Sequence, residues 1–155
     1  MTDFLPIDKD NVHLYCDFAA IYETDLKNFQ SRIYPENSDF FVPLKQKGQL
    51  SWDYILYNND IIGAIWLERE HPELPVAKLG VFIADKSKRS KGIGRQAITR
   101  YIKQQAIAMG LCRVTLNVRK ENIRRISCYK KCGFIIEKKY EKEQGLKVYA
   151  MRKEL

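Results

Sequence analysis

Apolar positions along this chain recur at two spacings, and the switches between them lay out the elements. Trp52 to Glu70, WDYILYNNDIIGAIWLERE, carries two alternating apolar runs on either side of YNND, the pattern of a β-hairpin. Val76 to Asp85, VAKLGVFIAD, is rich in apolar and β-branched residues and reads as a further strand. The spacing then lengthens to three and four: Ile93, Ala97, Ile98, Tyr101, Ile102, Ala106 and Met109 share one face of a helix that Gly110 stops. CRVTLNVR returns to strand spacing, Asn122 caps a helix running to about Lys131, and Gly133 falls just past its end. FIIEKKYEK and LKVYAMRK close the chain as strands joined through EQG. Upstream, Thr2 to Ile7 is a short strand, and Asn11 to Phe29 is helical with Leu14, Phe18, Ile21 and Tyr22 on one side. PENSDFF is a loop or a second short helix.

This order predicts a mixed α/β (α+β) domain with a central, mostly antiparallel sheet of about six or seven strands flanked by about four helices. A parallel pair is expected where the central helix crosses over. With 155 residues and no repeat, low-complexity tract or linker, residues 1–155 read as one domain able to bury a real core. Apolar residues at 45% and charged residues at 30% argue against disorder. No apolar run reaches the ~18 residues needed to span a bilayer, so no membrane partner is expected. MTDFLPIDKDN has neither the basic start nor the apolar stretch of a signal peptide, so a cytoplasmic address is expected.

The cysteines, Cys16, Cys112, Cys128 and Cys132, fit that address as reduced thiols. Cys128 and Cys132 share a helix face, but a structural zinc needs about four ligands, and His13 and His71 have no ligand-like spacing to them. No metal is expected. The net charge of +8 is unevenly spread: residues 1–40 hold eight acids against three bases, leaving the remainder at +13. That asymmetry points to an anionic partner for the basic part and a cationic one for the acidic part, against the blander reading of solvated surfaces.

The chemistry concentrates in KSKRSKGIGRQAI, Lys86 to Ile98, where Lys86, Lys88, Arg89, Lys91 and Arg95 surround Gly92 and Gly94 at a helix start. A helix start offers unpaired backbone N–H groups and the positive end of the dipole, a site for an anion. GIGRQA satisfies a dinucleotide fingerprint, yet that fold wants its first glycine directly after the strand and an acid about 20 residues on. Here a seven-residue basic loop intervenes, and the position 20 beyond Gly92 is Cys112. No G-x-x-x-x-G-K-[ST] phosphate loop occurs. Nucleic-acid binding would use the charge, but it gives the glycine pair no role and sets the acidic first quarter against a polyanion.

RSKGIG, Arg89 to Gly94, resembles the [RQ]-x-x-G-x-[GA] motif of the GNAT acetyltransferase superfamily. NIRRISCYKKCGF, Asn122 to Phe134, resembles the family's later motif, and the element order is that of its fold. The likeness covers residues 52–140 well and the first 50 by element order alone. It implies an acetyl-coenzyme A co-substrate whose pyrophosphate sits on the backbone of Arg89, Ser90, Lys91, Gly92, Ile93, Gly94 and Arg95. It also implies donors to cofactor and oxyanion from the strand Val81, Phe82 and Ile83. Asn122 and Tyr129 are seven apart, on one helix azimuth and about 10 Å along the axis. Asn122 can thus hold a pantetheine amide while Tyr129, by resemblance, is the general acid that protonates the leaving thiolate.

Two positions depart from the family. Some members carry a Glu five residues ahead of the Asn, where this chain has Asn117, which leaves Glu68 and Glu70 as candidate bases. Arg125 stands where the family usually has a small residue and is a candidate phosphate contact. The implied reaction is attack of a primary amine on the thioester. The acceptor stays open among a protein N-terminus, a lysine side chain, a polyamine and an aminoglycoside, with Trp52, Trp66 and Tyr22 as candidate pocket walls or core. A homodimer is compatible with the resemblance, and a coenzyme A binder without catalysis is the competing class.

Overall fold

The computed structural model describes residues 2–21, 38–84, 86–89 and 91–155. Among these are seven strands and four α-helices: β1 (Thr2–Pro6), α1 (Val12–Ile21), α2 (Ser38–Gln46), β2 (Leu50–Tyr57), β3 (Asp60–Arg69), β4 (Val76–Ile83), α3 (Ile93–Met109), β5 (Arg113–Arg119), α4 (Ile123–Lys131), β6 (Ile135–Glu141) and β7 (Lys147–Glu154). The fold class is the one the patterning predicts. The first helix is described to Ile21, and the remainder of the expected span, with Tyr22, lies outside the described residues. Of the PENSDFF stretch, Ser38 onward belongs to a second helix that continues through Pro43 to Gln46, beyond the expected boundary. No described helix is long and apolar enough to cross a membrane.

The strands form one sheet in the order β1-β2-β3-β4-β5-β7-β6. The β2–β3 hairpin turns through Asn58 and Asn59, both at positive φ (50° and 68°), the paired left-handed conformation of the tightest hairpin loop. Every neighbouring pair is antiparallel except β4 and β5, joined by the α3 crossover. That parallel pairing runs only from Val76–Arg113 to Lys78–Thr115, so from Leu79 onward β4 and β5 have no mutual register.

Both sheet faces are covered. The α3 and α4 face buries Ile98, Tyr101 and Ile102 with Ile65, Leu67, Val81, Leu116 and Met151. The opposite face buries Tyr15 and Phe41 with Trp52, Tyr54, Trp66 and Phe82, Tyr15 and Phe41 meeting the Trp52 ring edge-on at 4.7 and 5.1 Å. Trp52 and Trp66, considered as pocket walls, are core residues at 0% and 5% exposure.

One polar contact fixes the helix that carries the glycine motif. Tyr101 on α3 donates to Asp53 Oδ2 on β2 at 2.6 Å and also bonds Ser51. Burial pushes the Asp53 carboxyl up, and the Tyr101 hydrogen bond and the Lys45 charge oppose it. Tyr101→Phe removes a partner from this buried carboxyl, and a loss of about 1–3 kcal/mol is expected in urea unfolding. A cost near zero would show that Asp53 does not depend on this bond.

Candidate active site

The divergence of β4 and β5 opens the sheet beside the start of α3. In a strand, the N–H and C=O of one residue point to the same edge and those of the next to the other. Ala84 N–H bonds Ile62 O on β3, and Arg113 N–H bonds Pro75 O on the β5 side, so the odd-numbered residues of β4 address the β5 side. Val81 and Ile83 therefore present their backbone groups to the gap, whereas Phe82 turns its own to β3 and its side chain into the opposite core. Of the three strand positions expected at the cofactor, the geometry brings two together.

The gap continues into a cleft of about 340 Å³ between β4, the start of α3 and one side of α4. Val81, Ile83, Arg89, Gly92, Gly94, Arg95 and Tyr129 line it. Gly92 precedes α3 at φ 77°, and no side chain caps the helix there. The first intrahelical bond of this turn runs from Gln96 N–H to Gly92 O, so the N–H groups of Ile93, Gly94 and Arg95 point out of the helix start. A Cβ on Gly94 would meet only Ile83 Cδ1, at 3.5 Å, so the space above this backbone is open to a ligand.

The remaining expected residues are placed differently. Ile93 is buried in the core, so only its backbone can serve the cleft, and Lys91 is exposed beside it. Ser90 lies outside the described residues. Asn122 spends its Oδ1 on the α4 cap, accepting from Arg125 N–H at 3.3 Å, and is not among the cleft walls. Its NH₂ is the donor left for a cofactor amide. Glu68 and Glu70, the candidate bases, are not brought to the cleft: Glu68 pairs with Lys78, three strand positions or about 10 Å before Val81. The antiparallel course of β3 carries its end away from the splay, which is the physical reason they do not line the cleft.

α4 contributes more than its two motif residues. Arg124, Arg125, Cys128 and Lys131 line the cleft along with Tyr129. Their spacing of three and four along the helix is the signal that marks this shared side, and it is masked in the sequence by the cationic character of the whole segment. With Arg89 and Arg95 they make a cationic enclosure, and none of the described lining residues is acidic. Burial, then the charges of Arg125 and Arg89, hold Arg124 below its ordinary value, the mark of cations crowded together. Arg89 bonds Ile83 O through Nε and Nη2 at 3.0 and 2.8 Å, folding the basic loop back on its own strand. Arg125 reaches across the cleft, where Nη1 donates to Val81 O at 3.2 Å and to the Tyr129 hydroxyl at 3.1 Å.

Tyr129 itself is buried at 5% exposure, its ring edge-on to Phe134 at 6.0 Å, with its hydroxyl at the Val81 end of the cleft. On the same helix, Cys132 closes the C-terminus, its thiol near Thr99 Oγ1 and Arg95 O. The hydrogen bond from Cys128 holds the Cys132 thiol below its ordinary range and pushes the Cys128 thiol up. The arrangement is suited to a long polyanion at the α3 end and to proton transfer at the phenol end.

The model of the acetyltransferase (GNAT) family matches residues 14–134. No curated protein sequence is significantly similar to the chain. Among solved structures, it is similar to a spermidine N-acetyltransferase from Vibrio cholerae in complex with CoA and spermine, with TM-score 0.81, 16% identity, and 97% of this chain and 94% of that one covered. A ribosomal-protein-S5-alanine acetyltransferase from Vibrio fischeri gives TM-score 0.84 at 15% identity, covering 99% and 92%. An acetyltransferase of the GNAT family from Streptococcus pneumoniae gives 0.79 at 20%, covering 100% and 99%. At these identities the structural likeness is one of fold.

Because α4 carries the phenol, its cap bears on the site. Asn122→Ala is expected to cost about 1 kcal/mol and Asn122→Asp to restore most of it, read as shifts in the urea midpoint. Equal stability of all three proteins would remove the capping role.

Proposed function

The chain belongs to the GNAT acetyltransferase family, and from that premise we propose that it moves the acetyl group of acetyl-coenzyme A to a primary amine by direct attack on the thioester. The observation that carries this reading is the continuity of one cleft from an uncapped helix start among arginines to a buried phenol. The N–H groups of Ile93, Gly94 and Arg95, with Arg95 and Arg124 beside them, would hold the pyrophosphate, since a helix start favours anions and the guanidinium fork suits phosphate oxygens. The pantetheine arm would lie along the open edge of β4, where the backbone of Val81 and Ile83 offers donors and acceptors as a neighbouring strand would. The Val81 N–H on that edge would stabilise the oxyanion of the tetrahedral intermediate.

In this reading the neutral amine forms the new C–N bond, and its surplus proton passes to water. The C–S bond then breaks, its electron pair goes to sulfur, and the Tyr129 hydroxyl donates the proton that makes the thiol. A cationic acceptor is supported by the charge of residues 1–40, net −5, in the part of the chain that precedes the sheet's open edge. The named neighbours act on a polyamine and on a ribosomal protein, and both classes present such an amine.

Thiol release from acetyl-coenzyme A across spermidine, Nα-acetyl-lysine amide and an alanine-led peptide is expected to show turnover with at least one of them. Coenzyme A binding without turnover on any amine would replace the enzyme with a binding protein. Gly94→Ala places a methyl group over the helix start without a clash in the free protein. It is expected to leave the melting temperature in place while weakening coenzyme A binding about tenfold or more in calorimetry. Unchanged affinity would move the pyrophosphate elsewhere.

A further inference from the structure

Arg125 joins the two walls of the cleft. It sits on the first turn of α4, and its Nη1 touches both the exposed edge of β4, at Val81 O, and the Tyr129 hydroxyl four residues along its own helix. A guanidinium has donors and no acceptor, so in this contact the phenol oxygen must be the acceptor. A phenol carries a single proton, which lies near the ring plane on one side of the oxygen or the other. With one side taken by the Arg125 N–H, the O–H turns to the opposite side.

We infer that Arg125 is a positioning residue for the acid: by occupying one acceptor site of Tyr129, it directs the phenol proton to the leaving sulfur. The inference rests on the reading of Tyr129 as the general acid. The same contact serves the other half of the step. When the C–S bond breaks and the proton moves from oxygen to sulfur, the negative charge left on the phenol oxygen lies within hydrogen-bond distance of a cation, until water returns the proton. The tie to Val81 O keeps this donor at the height of the strand edge along which the thioester lies. No small residue at position 125 could do either.

The test is a double-mutant cycle on kcat with acetyl-coenzyme A and whichever of spermidine, Nα-acetyl-lysine amide and the alanine-led peptide turns over. Tyr129→Phe is expected to lower kcat about 100-fold and Arg125→Ala about tenfold, the KM for acetyl-coenzyme A moving less than about threefold in each. Because Arg125 acts through the hydroxyl, the double variant should be no slower than Tyr129→Phe, whereas independent roles would multiply to about 1,000-fold. Arg125→Lys, which keeps a charged donor, should recover most of the rate. Arg125→Gln takes the place of the alanine variant if that protein loses its melting transition.

Multiplicative losses, or a loss confined to KM, overturn the inference and leave Arg125 a strut or a cofactor contact. If Tyr129→Phe leaves kcat unchanged, the acid reading itself falls, and no turnover with any of the amines removes the parent reading and this one together.

Discussion

The site depends on how briefly β4 and β5 stay paired. Three residues of parallel register hold the strands together at Val76 to Lys78, and the next positions of β4 lose their partner while β3 still holds their other edge. A strand half released in this way is a rigid rail with one row of unpaired peptide groups. Unpaired backbone is costly when buried, and the chain answers by placing arginines on the row, Arg125 on Val81 O and Arg89 on Ile83 O. A ligand arm that lies on the rail can take over the remaining groups. The neighbouring pairs of the sheet are long and antiparallel, and they keep the rail straight while the gap stays open.

The α3 crossover and the gap are parts of one device. A parallel pair requires a crossover helix, and a right-handed crossover brings the start of that helix to the C-terminal end of the first strand. The end of β4 is where the pairing fails, so the positive end of α3 arrives at the mouth of the gap without further instruction. Apolar residues on its inner face and the Tyr101–Asp53 bond fix its height over the sheet. Gly92 at φ 77° then lets the loop turn into the helix with the N–H groups uncovered.

Period-2 and period-3.6 patterns report which face a residue takes, and the element boundaries and core faces of α3, β4 and β5 were legible from them for that reason. They carry no information about which strand lies beside which. The insertion of β7 between β5 and β6, and the early parting of β4 from β5, come from non-local pairing. The position of Glu68 has that origin: it lies at the end of β3, and antiparallel pairing sets it opposite Lys78, away from the gap. The resemblance implied Phe82 together with Val81 and Ile83, and strand alternation turns its peptide to β3. Asn122 was legible as a cap because its chemistry is local: the side-chain oxygen accepts from Arg125 N–H within the same turn and leaves the NH₂ free to face outward.

The absence of a carboxylate among the described cleft walls follows from the same electrostatics. In the proposed reading, a pyrophosphate held by backbone amides and arginines binds more tightly the fewer competing anions line the cleft. A carboxylate on its wall would pair with Arg95 or Arg124 and neutralise what the phosphates need. In the proposed reaction the proton comes from a hydroxyl, which brings no carboxylate into the cationic enclosure. In that proposal Tyr129 supplies the hydroxyl, and the Arg125 guanidinium that donates to it faces the oxygen at which charge would develop. Asn117, on β5 opposite Ala150, likewise adds no charge of its own to the opened sheet.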